Sequence, residues 1–357
     1  MKKQAMRFMC TMVCAAMLMA SGCSGKQVET QPESQSKEQT QAEAKQEAEK
    51  ETKAEAETQD KPMVDYPKSS LTMIVPVAAG GNMDVIGRIA ARYLEEEIGK
   101  PVVVENIKGS GGAVGATTYL AEDANTEKII FLPSSLFTVT PLYSETEYKL
   151  DDFTPIIGFN QAVSGVFASA DSNIKTFEDL KNFDKDKTLL FGSGGIGVAN
   201  YLFQCAVYEE LGLKYDTIPH SSGSEGLVNV IAGTTDVVLS SMAAAKQYVE
   251  DGSLVPLFVY SDQPYSYSNG VTAPPLSEFG INAPYDTTQF FAIRSGTDDS
   301  IVEYLRTSIE HIYENEKFME EYTAAGGELI PLKGDELKQQ IDTLQKTAEE
   351  IYNKISN

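Results

Sequence analysis

The chain is 357 residues long and carries 52 acidic against 29 basic side chains, for a formal net charge of −23. An acidic excess of that size excludes nucleic acid as a partner, because binding phosphates needs a basic stripe. It also means that an anionic ligand would have to be held by local groups, against the overall field.

The first elements are not part of a fold. Lys2, Lys3 and Arg7 precede Phe8 to Ala20, an apolar stretch too short to span a bilayer comfortably. Ala20-Ser21-Gly22-Cys23, with Leu18 upstream, resembles a bacterial lipoprotein signal, although a larger aliphatic residue is more usual where Ala20 stands. Residues 1–22 are therefore expected to be removed and Cys23 to be lipidated. Residues 23–62 read as a disordered tether rich in acids and Gln. Val28 is the only sizeable apolar residue from Lys26 to Pro62, too little to offset the entropy of ordering the segment. The leader has three positive charges and Lys26 to Pro62 has ten acids against six lysines, which leaves −22 on the remainder. Cys10 and Cys14 fall in the signal, so Cys205 is the one thiol of the body. It is expected to be buried and inert, since nothing nearby in sequence would activate it.

Thr72 to Val75 is a short apolar run rich in β-branched residues and predicts a buried strand. Pro76 ends its ladder, having no N–H to donate. Ala78 to Asn82 is nearly bare backbone, able to turn sharply and lie open to a ligand. From Met83, the residues Val85, Ile86, Ile89 and Ala90 recur at helical spacing. Strand, loop and helix start together offer unpaired N–H groups suited to an anion, though an ordinary βα turn looks the same. Pro101 to Glu105 is a second strand, and Gly109 to Gly115 opens a helix to about Ala121. Lys128 to Leu132 is a third strand, followed by Pro133, Ser134 and Ser135 at a strand end, where ligands commonly sit in α/β sheets.

Phe153 to Asn160 and Ala162 to Ser169 are two further apolar stretches, the second read as the passage into another lobe. Thr176 caps a short helix. Strand Thr188 to Phe191, loop Gly192 to Gly197 and helix Val198 to Leu211 follow. Next come strand Lys214 to Ile218, loop Pro219 to Ser224, a helix through Ile231, strand Thr235 to Leu239, a helix from Met242 to about Glu250 and strand Val255 to Tyr260. Ser261 to Tyr285 reads as a surface loop and Thr288 to Ile293 as a strand returning to the first lobe. Asp298 to Tyr322 and Asp335 to Lys354 read as amphipathic helices covering it. The alternation argues an α/β fold with largely parallel sheets.

Gly192 to Gly197 contains G-x-G-x-x-G after a strand, with Asp216 about twenty residues on, which meets the dinucleotide fingerprint of an oxidoreductase. Against it stand the export signal and the motif's place in the second lobe. Ser193, His220 and Asp236 could form a Ser–His–Asp site only if the fold joined them. His311, between Glu310 and Glu314, reads as solvated or packing, and two distant histidines without Cys partners do not suggest zinc.

From Tyr66 to the C-terminus the chain resembles the substrate-binding proteins of tripartite tricarboxylate transporters, the Bug family of extracytoplasmic solute receptors. The resemblance rests on YPKSSLTMIVPVAAGGNMDVIGR, GKPVVVENIKGSGGAVG, LLFGSGGIGVANYL, LVNVIAGTTDVVLSS and AAGGELIPL, in that order. It implies a two-lobed type II periplasmic-binding fold, each lobe a mostly parallel sheet flanked by helices, with the ligand cleft between them. Lobe 1 would be 63–163 and 288–357, and lobe 2 would be 164–287. It also implies a non-catalytic receptor without cofactor or metal, delivering a small carboxylate to a membrane permease; the anchor at Cys23 agrees with this independently, and a monomer is expected. A sensing lipoprotein without a permease is the other non-enzymatic reading. Ligand contacts carried over are Ala78, Ala79, Gly80, Gly81 and Asn82 with Asp84, then Ser193, Gly194, Gly195, Ile196 and Gly197. Ser134, Ser135 and Asp236 fall at cleft or loop-supporting positions, and Asp84 could equally be a helix cap. Two departures bear on specificity. His220 and Ser221 stand where the family has an aromatic and a lysine, and Asn82 and Met83 where it has a glycine and a threonine. The lost lysine points to a ligand less charged than citrate.

Overall fold

The computed structural model describes residues 64–356 except 125, 282, 284, 286 and 287, so the signal, Cys23 and the tether lie outside the described residues. Strands β1 (Leu71–Val75), β2 (Val102–Asn106), β3 (Lys128–Pro133) and β4 (Phe153–Gln161) belong to a first sheet. Strands β5 (Ser164–Ser169), β6 (Thr188–Ser193), β7 (Lys214–Pro219), β8 (Val237–Ser241) and β9 (Leu254–Val259) form a second. A short hairpin of β10 (Tyr265–Ser266) and β11 (Thr272–Ala273) follows, and β12 (Thr288–Arg294) returns to the first sheet. The helices are α1 (Asn82–Ile98), α2 (Ala113–Leu120), α3 (Ser135–Thr138), α4 (Thr140–Tyr143), α5 (Phe177–Lys181) and α6 (Ala199–Glu210). They continue as α7 (Gly223–Ile231), α8 (Met242–Glu250), α9 (Asp299–Tyr313), α10 (Glu316–Ala324) and α11 (Gly334–Ile355).

The strand orders are β2-β1-β3-β12-β4 and β7-β6-β8-β5-β9. β1 runs parallel to β2 and β3, and β6 parallel to β7 and β8. Only β12 in one sheet and β5 in the other run against their neighbours. Each is the first strand laid down after the chain has changed sheets, so it enters without the right-handed βαβ crossover that makes neighbours parallel. The result is a two-lobed α/β fold with one mostly parallel sheet per lobe. The chain leaves the first sheet at Gln161 and enters the second at Ser164.

Helices on both faces explain the continuous apolar strands. In β1, Leu71, Met73, Ile74 and Val75 are all buried, with Met73 and Val75 packed among Ile86, Ala90 and Leu94 of α1. Cys205 is buried in the second core with Phe191, Tyr208 and Val237, and burial pushes its thiol up to about 12. Helix α11 touches both lobes. Leu337 and Ile341 pack under the first sheet, while Ala348 meets Ala199, Leu202 and Phe203 of α6.

Two segments differ from the sequence reading. Ser261 to Tyr285 is no simple surface loop, since Tyr267, Ala273, Leu276, Ile281 and Ala283 are buried and the Tyr267 hydroxyl donates to the Met242 carbonyl at 3.1 Å. Its aromatic and aliphatic residues fold back while the polar ones between them face water. Asp298 to Tyr322 is two helices, because Asn315 Oδ1 accepts the N–H groups of Lys317 and Phe318 and caps a new start.

Candidate functional site

The loops that follow β1, β2, β3, β6 and β7 open onto one cavity of about 620 Å³. Pro76, Ala78, Gly81 and Asn82 come from the first loop, Lys108 to Gly112 from the second and Ser135 from the third. From the other sheet come Gly194, Val198, Ala199 and Asn200, then His220 to Gly223. Tyr285 and Gln289 complete the wall.

Helices α1, α2, α6 and α7 all begin at this cavity, through Gly81, Gly112, Val198 and Ser222 as the residues before their first turns. First-turn N–H groups have no partner within their own helix and carry partial positive charge. No Asp or Glu among the described residues lines the cavity, and Lys108 is the one cation that does. Four helix starts with one ammonium and no carboxylate among the described residues make an anion site within a strongly acidic chain. Gly111, at φ 65, sits where a Cβ would come within 2.8 Å of Val198 Cγ1. Only a glycine lets the two loops meet that closely.

Side chains pin these loops from behind. Asp84 is buried, and its Oδ2 accepts the Gly80 N–H at 2.8 Å while its Oδ1 accepts Asn106 Nδ2 at 2.8 Å. Arg88 Nε reaches Oδ2 at 3.1 Å. Burial works against the charge, but the hydrogen bonds from Arg88, Gly80 and Asn106 outweigh it and hold the carboxyl below its ordinary range. In the second lobe Asn200 Oδ1 accepts the Gly194 N–H at 3.1 Å, and Ser193 Oγ accepts the Gly195 N–H at 3.0 Å. The amides of Gly80, Gly194 and Gly195 are thus already engaged, as are those of Ala113 and Val114 at the start of α2 and of Glu225 in the first turn of α7, which leaves the starts of α1 and α6 as the amides open to a ligand.

Of the residues singled out from sequence, Ala78, Gly81, Asn82, Ser135, Gly194, His220 and Ser221 line the cavity. Ala79, Gly80, Asp84, Ser134, Ser193, Gly195, Ile196, Gly197 and Asp236 do not. Ser134 is buried and its N–H donates to the Thr288 carbonyl. Ile196 points outward and is 67% exposed. The Gly197 carbonyl accepts from Thr140 Oγ1 at 3.2 Å, tying the second-lobe loop to α4. Asp236 Oδ2 accepts the Leu190 N–H at 2.8 Å, a support for β6.

His220 is 9% exposed and its ring packs against Gly226 and Gly192. Neither ring nitrogen makes a hydrogen bond among the described residues. Burial lowers its pKa, against a smaller opposing pull from Glu225. A neutral imidazole therefore faces the cavity. No triad exists, since Ser193 Oγ pairs with Thr217 Oγ1 at 2.7 Å and Asp236 with Leu190, while His220 bonds neither. No group of three or more His, Cys, Asp or Glu among the described residues could hold a metal ion. No helix among the described residues is long and apolar enough to cross a membrane.

Sequence reasoning missed Gly109 to Gly112, Asn200, Ser222, Gly223, Tyr285 and Gln289 as cavity residues. The glycine run was legible as a helix start and the others carried no local signal.

Comparisons with known proteins agree with the two-lobed fold. The sequence profile of the family described as the tripartite tricarboxylate transporter family receptor, TctC, matches residues 86–356. A UPF0065 protein of Agrobacterium vitis is 29% identical over 175 residues, covering 48% of this chain and 51% of its own, so the chain spans about half the length of that relative. Among solved structures, the periplasmic binding protein BugD superposes with a TM-score of 0.73 at 22% identity, covering 82% of this chain and 99% of BugD. MatC from Rhodopseudomonas palustris, solved with bound malate, gives a TM-score of 0.73 at 18% identity, covering 80% of this chain and 100% of MatC.

Proposed function

The chain belongs to the tripartite tricarboxylate transporter receptor family, and on that premise we propose that it captures a small carboxylate outside the cytoplasm and hands it to a membrane permease of the same system. The observation that carries the carboxylate reading is the convergence of four helix starts on a cavity lined by no acid among the described residues. Gly81, Asn82 and the first turn of α6 are the amides offered as its grip. Asp84, Ser193 and Asp236 hold the loops in place without touching ligand. One lysine at the cavity and a neutral His220 favour a mono- or dicarboxylate over a tricarboxylate, because no second cation among the described residues lines the cavity for a third negative group. Lobe 1 as 63–163 with 288–357, and lobe 2 as 164–287, puts one set of loops on each side of the ligand. Cys23, as a lipid anchor, and the tether would keep a monomeric receptor near its permease.

A thermal-shift screen with tri- and dicarboxylates, monocarboxylates, amino acids, aromatic acids and nucleotides tests this. Stabilisation by mono- or dicarboxylates, with no turnover of the bound compound, is the expected result. Stabilisation by nicotinamide dinucleotides alone, or chemical conversion of any ligand, would replace the receptor with an enzyme.

A further inference from the structure

One wall of the cavity carries a hydrogen-bond chain whose direction is set from outside. The Glu328 backbone N–H can only donate, and it lies 3.1 Å from Asn160 Oδ1. That contact decides which end of the Asn160 amide is oxygen. The Tyr322 hydroxyl lies 2.8 Å from the same oxygen and 2.8 Å from the Phe159 carbonyl, so its one proton serves either acceptor and the Glu328 N–H carries the assignment. Asn160 Nδ2 is then the donor to Gln289 Oε1, at 3.0 Å. With its oxygen engaged, Gln289 has only its NH₂ left, and Gln289 lines the cavity. That NH₂ makes no hydrogen bond among the described residues. Asn160 is fully buried and Gln289 is 9% exposed, so neither amide can turn over without leaving a buried donor or acceptor unpaired. The backbone reinforces the arrangement: Gln289 pairs with Asn160 in β4 and with Pro133 in β3, and the register shifts immediately after it.

We infer that Gln289 is a specificity residue that presents N–H donors to the ligand's far end, with Asn160 as the positioning residue that forbids the opposite orientation. The ligand chemistry it selects is an oxygen acceptor away from the gripped carboxylate, met most simply by the second carboxylate of a small dicarboxylate. This rests on the carboxylate reading proposed above.

The test is titration calorimetry with succinate, glutarate and adipate against butyrate, pentanoate and hexanoate as partners of equal length. Gln289→Glu keeps the size and the acceptor for Asn160 but turns a carboxylate oxygen to the ligand. It should weaken the tightest dicarboxylate by about tenfold or more and its monocarboxylate partner by less than about threefold. Asn160→Asp offers Gln289 an acceptor in place of a donor, so the Gln289 amide turns and faces its oxygen to the ligand. The same preference should fall, although Asn160 itself does not line the cavity. In wild type, the Gln289 Nε2 proton resonances should move on titration with the dicarboxylate, which keeps the inference testable if a variant fails to fold. If the dicarboxylate preference of Gln289→Glu stays within about threefold of wild type, or the Nε2 resonances do not move, the inference falls. Wild type binding only monocarboxylates overturns it while the receptor survives. If no carboxylate binds wild type, both fall together.

Discussion

Asp84 stands in the first turn of α1, but its carboxylate faces back into the loop it follows. Asp84→Ala leaves the Gly80 N–H and Asn106 Nδ2 without their acceptor, and the cost is set by those two bonds, since Arg88 is half exposed. A loss of ~1.5–3 kcal/mol is expected in thermal or urea unfolding at neutral pH. The folded pKa is depressed, so this stability is present above the unfolded value and is lost as pH falls through the folded one. Wild type and variant should converge in acid. His220 has the opposite chemistry but the same sign. Its folded pKa lies below the ordinary 6.5, so the unfolded chain takes up the proton first and stability drops as pH falls below that value. His220→Gln should flatten the melting-temperature profile between about pH 7 and pH 5, where an unperturbed imidazole titrates. If the wild-type profile is already flat there, His220 is not a buried neutral imidazole. At this scale the sequence was informative where a residue acts on its near neighbours. Asp84 as a cap was one of its two readings because Gly80 and Arg88 lie within four residues of it, whereas Asn106, at the end of β2, carried no such signal. Gly80 takes a φ of 85 in that loop, and its N–H is bonded to Asp84. Gln289 was invisible because its partner Asn160 lies 129 residues away.

The elements that matter most are helix beginnings, and most of these could be read from sequence. Periodic apolar residues from Met83 onward, glycines before Ala113 and Ala199, and Ser222 before α7 mark where strand gives way to helix. What spacing could not show is that four such starts face one space, because that depends on how the sheets are ordered. Nor could it show what α11 does. Its apolar stripe reads as cover for one lobe, whereas its second half packs on α6 of the other. Ala348 is fully buried at that contact with Leu202 and Phe203. Ala348→Leu should overpack it and cost about 1–3 kcal/mol in urea unfolding. Glu350→Leu, on the exposed side of the same helix, should stay within about 0.5 kcal/mol of wild type. Equal effects at both positions would mean that α11 is not packed between the lobes.

Across the whole molecule, a body of −22 has no acid among its described residues lining the cavity and turns backbone dipoles toward it. The two-lobed architecture was legible in the alternation of strands and helices and in the resemblance of ordered motifs. The direction of β5 and β12 was not, since nothing local records that a strand has arrived by changing sheets. The central claim is that the ligand's carboxylate is held by backbone amides at helix starts and not by a charged side chain. Arg88 is bound to Asp84 and Arg92 to Glu321, which leaves Lys108 as the side-chain rival at the cavity. Gly81 and Gly194 line the cavity with backbone that a Cβ can adopt, their nearest contacts being 3.7 Å and 3.3 Å, so substitutions there can fold. The deciding measurement is calorimetric affinity for the tightest carboxylate in wild type, Gly81→Val, Gly194→Val and Lys108→Gln, with folding checked by circular dichroism. The account predicts that both glycine variants fold but lose well over tenfold in affinity, while Lys108→Gln loses about fivefold or less, as expected of an exposed charge. Abolished binding in Lys108→Gln, with both glycine variants binding like wild type, would contradict it.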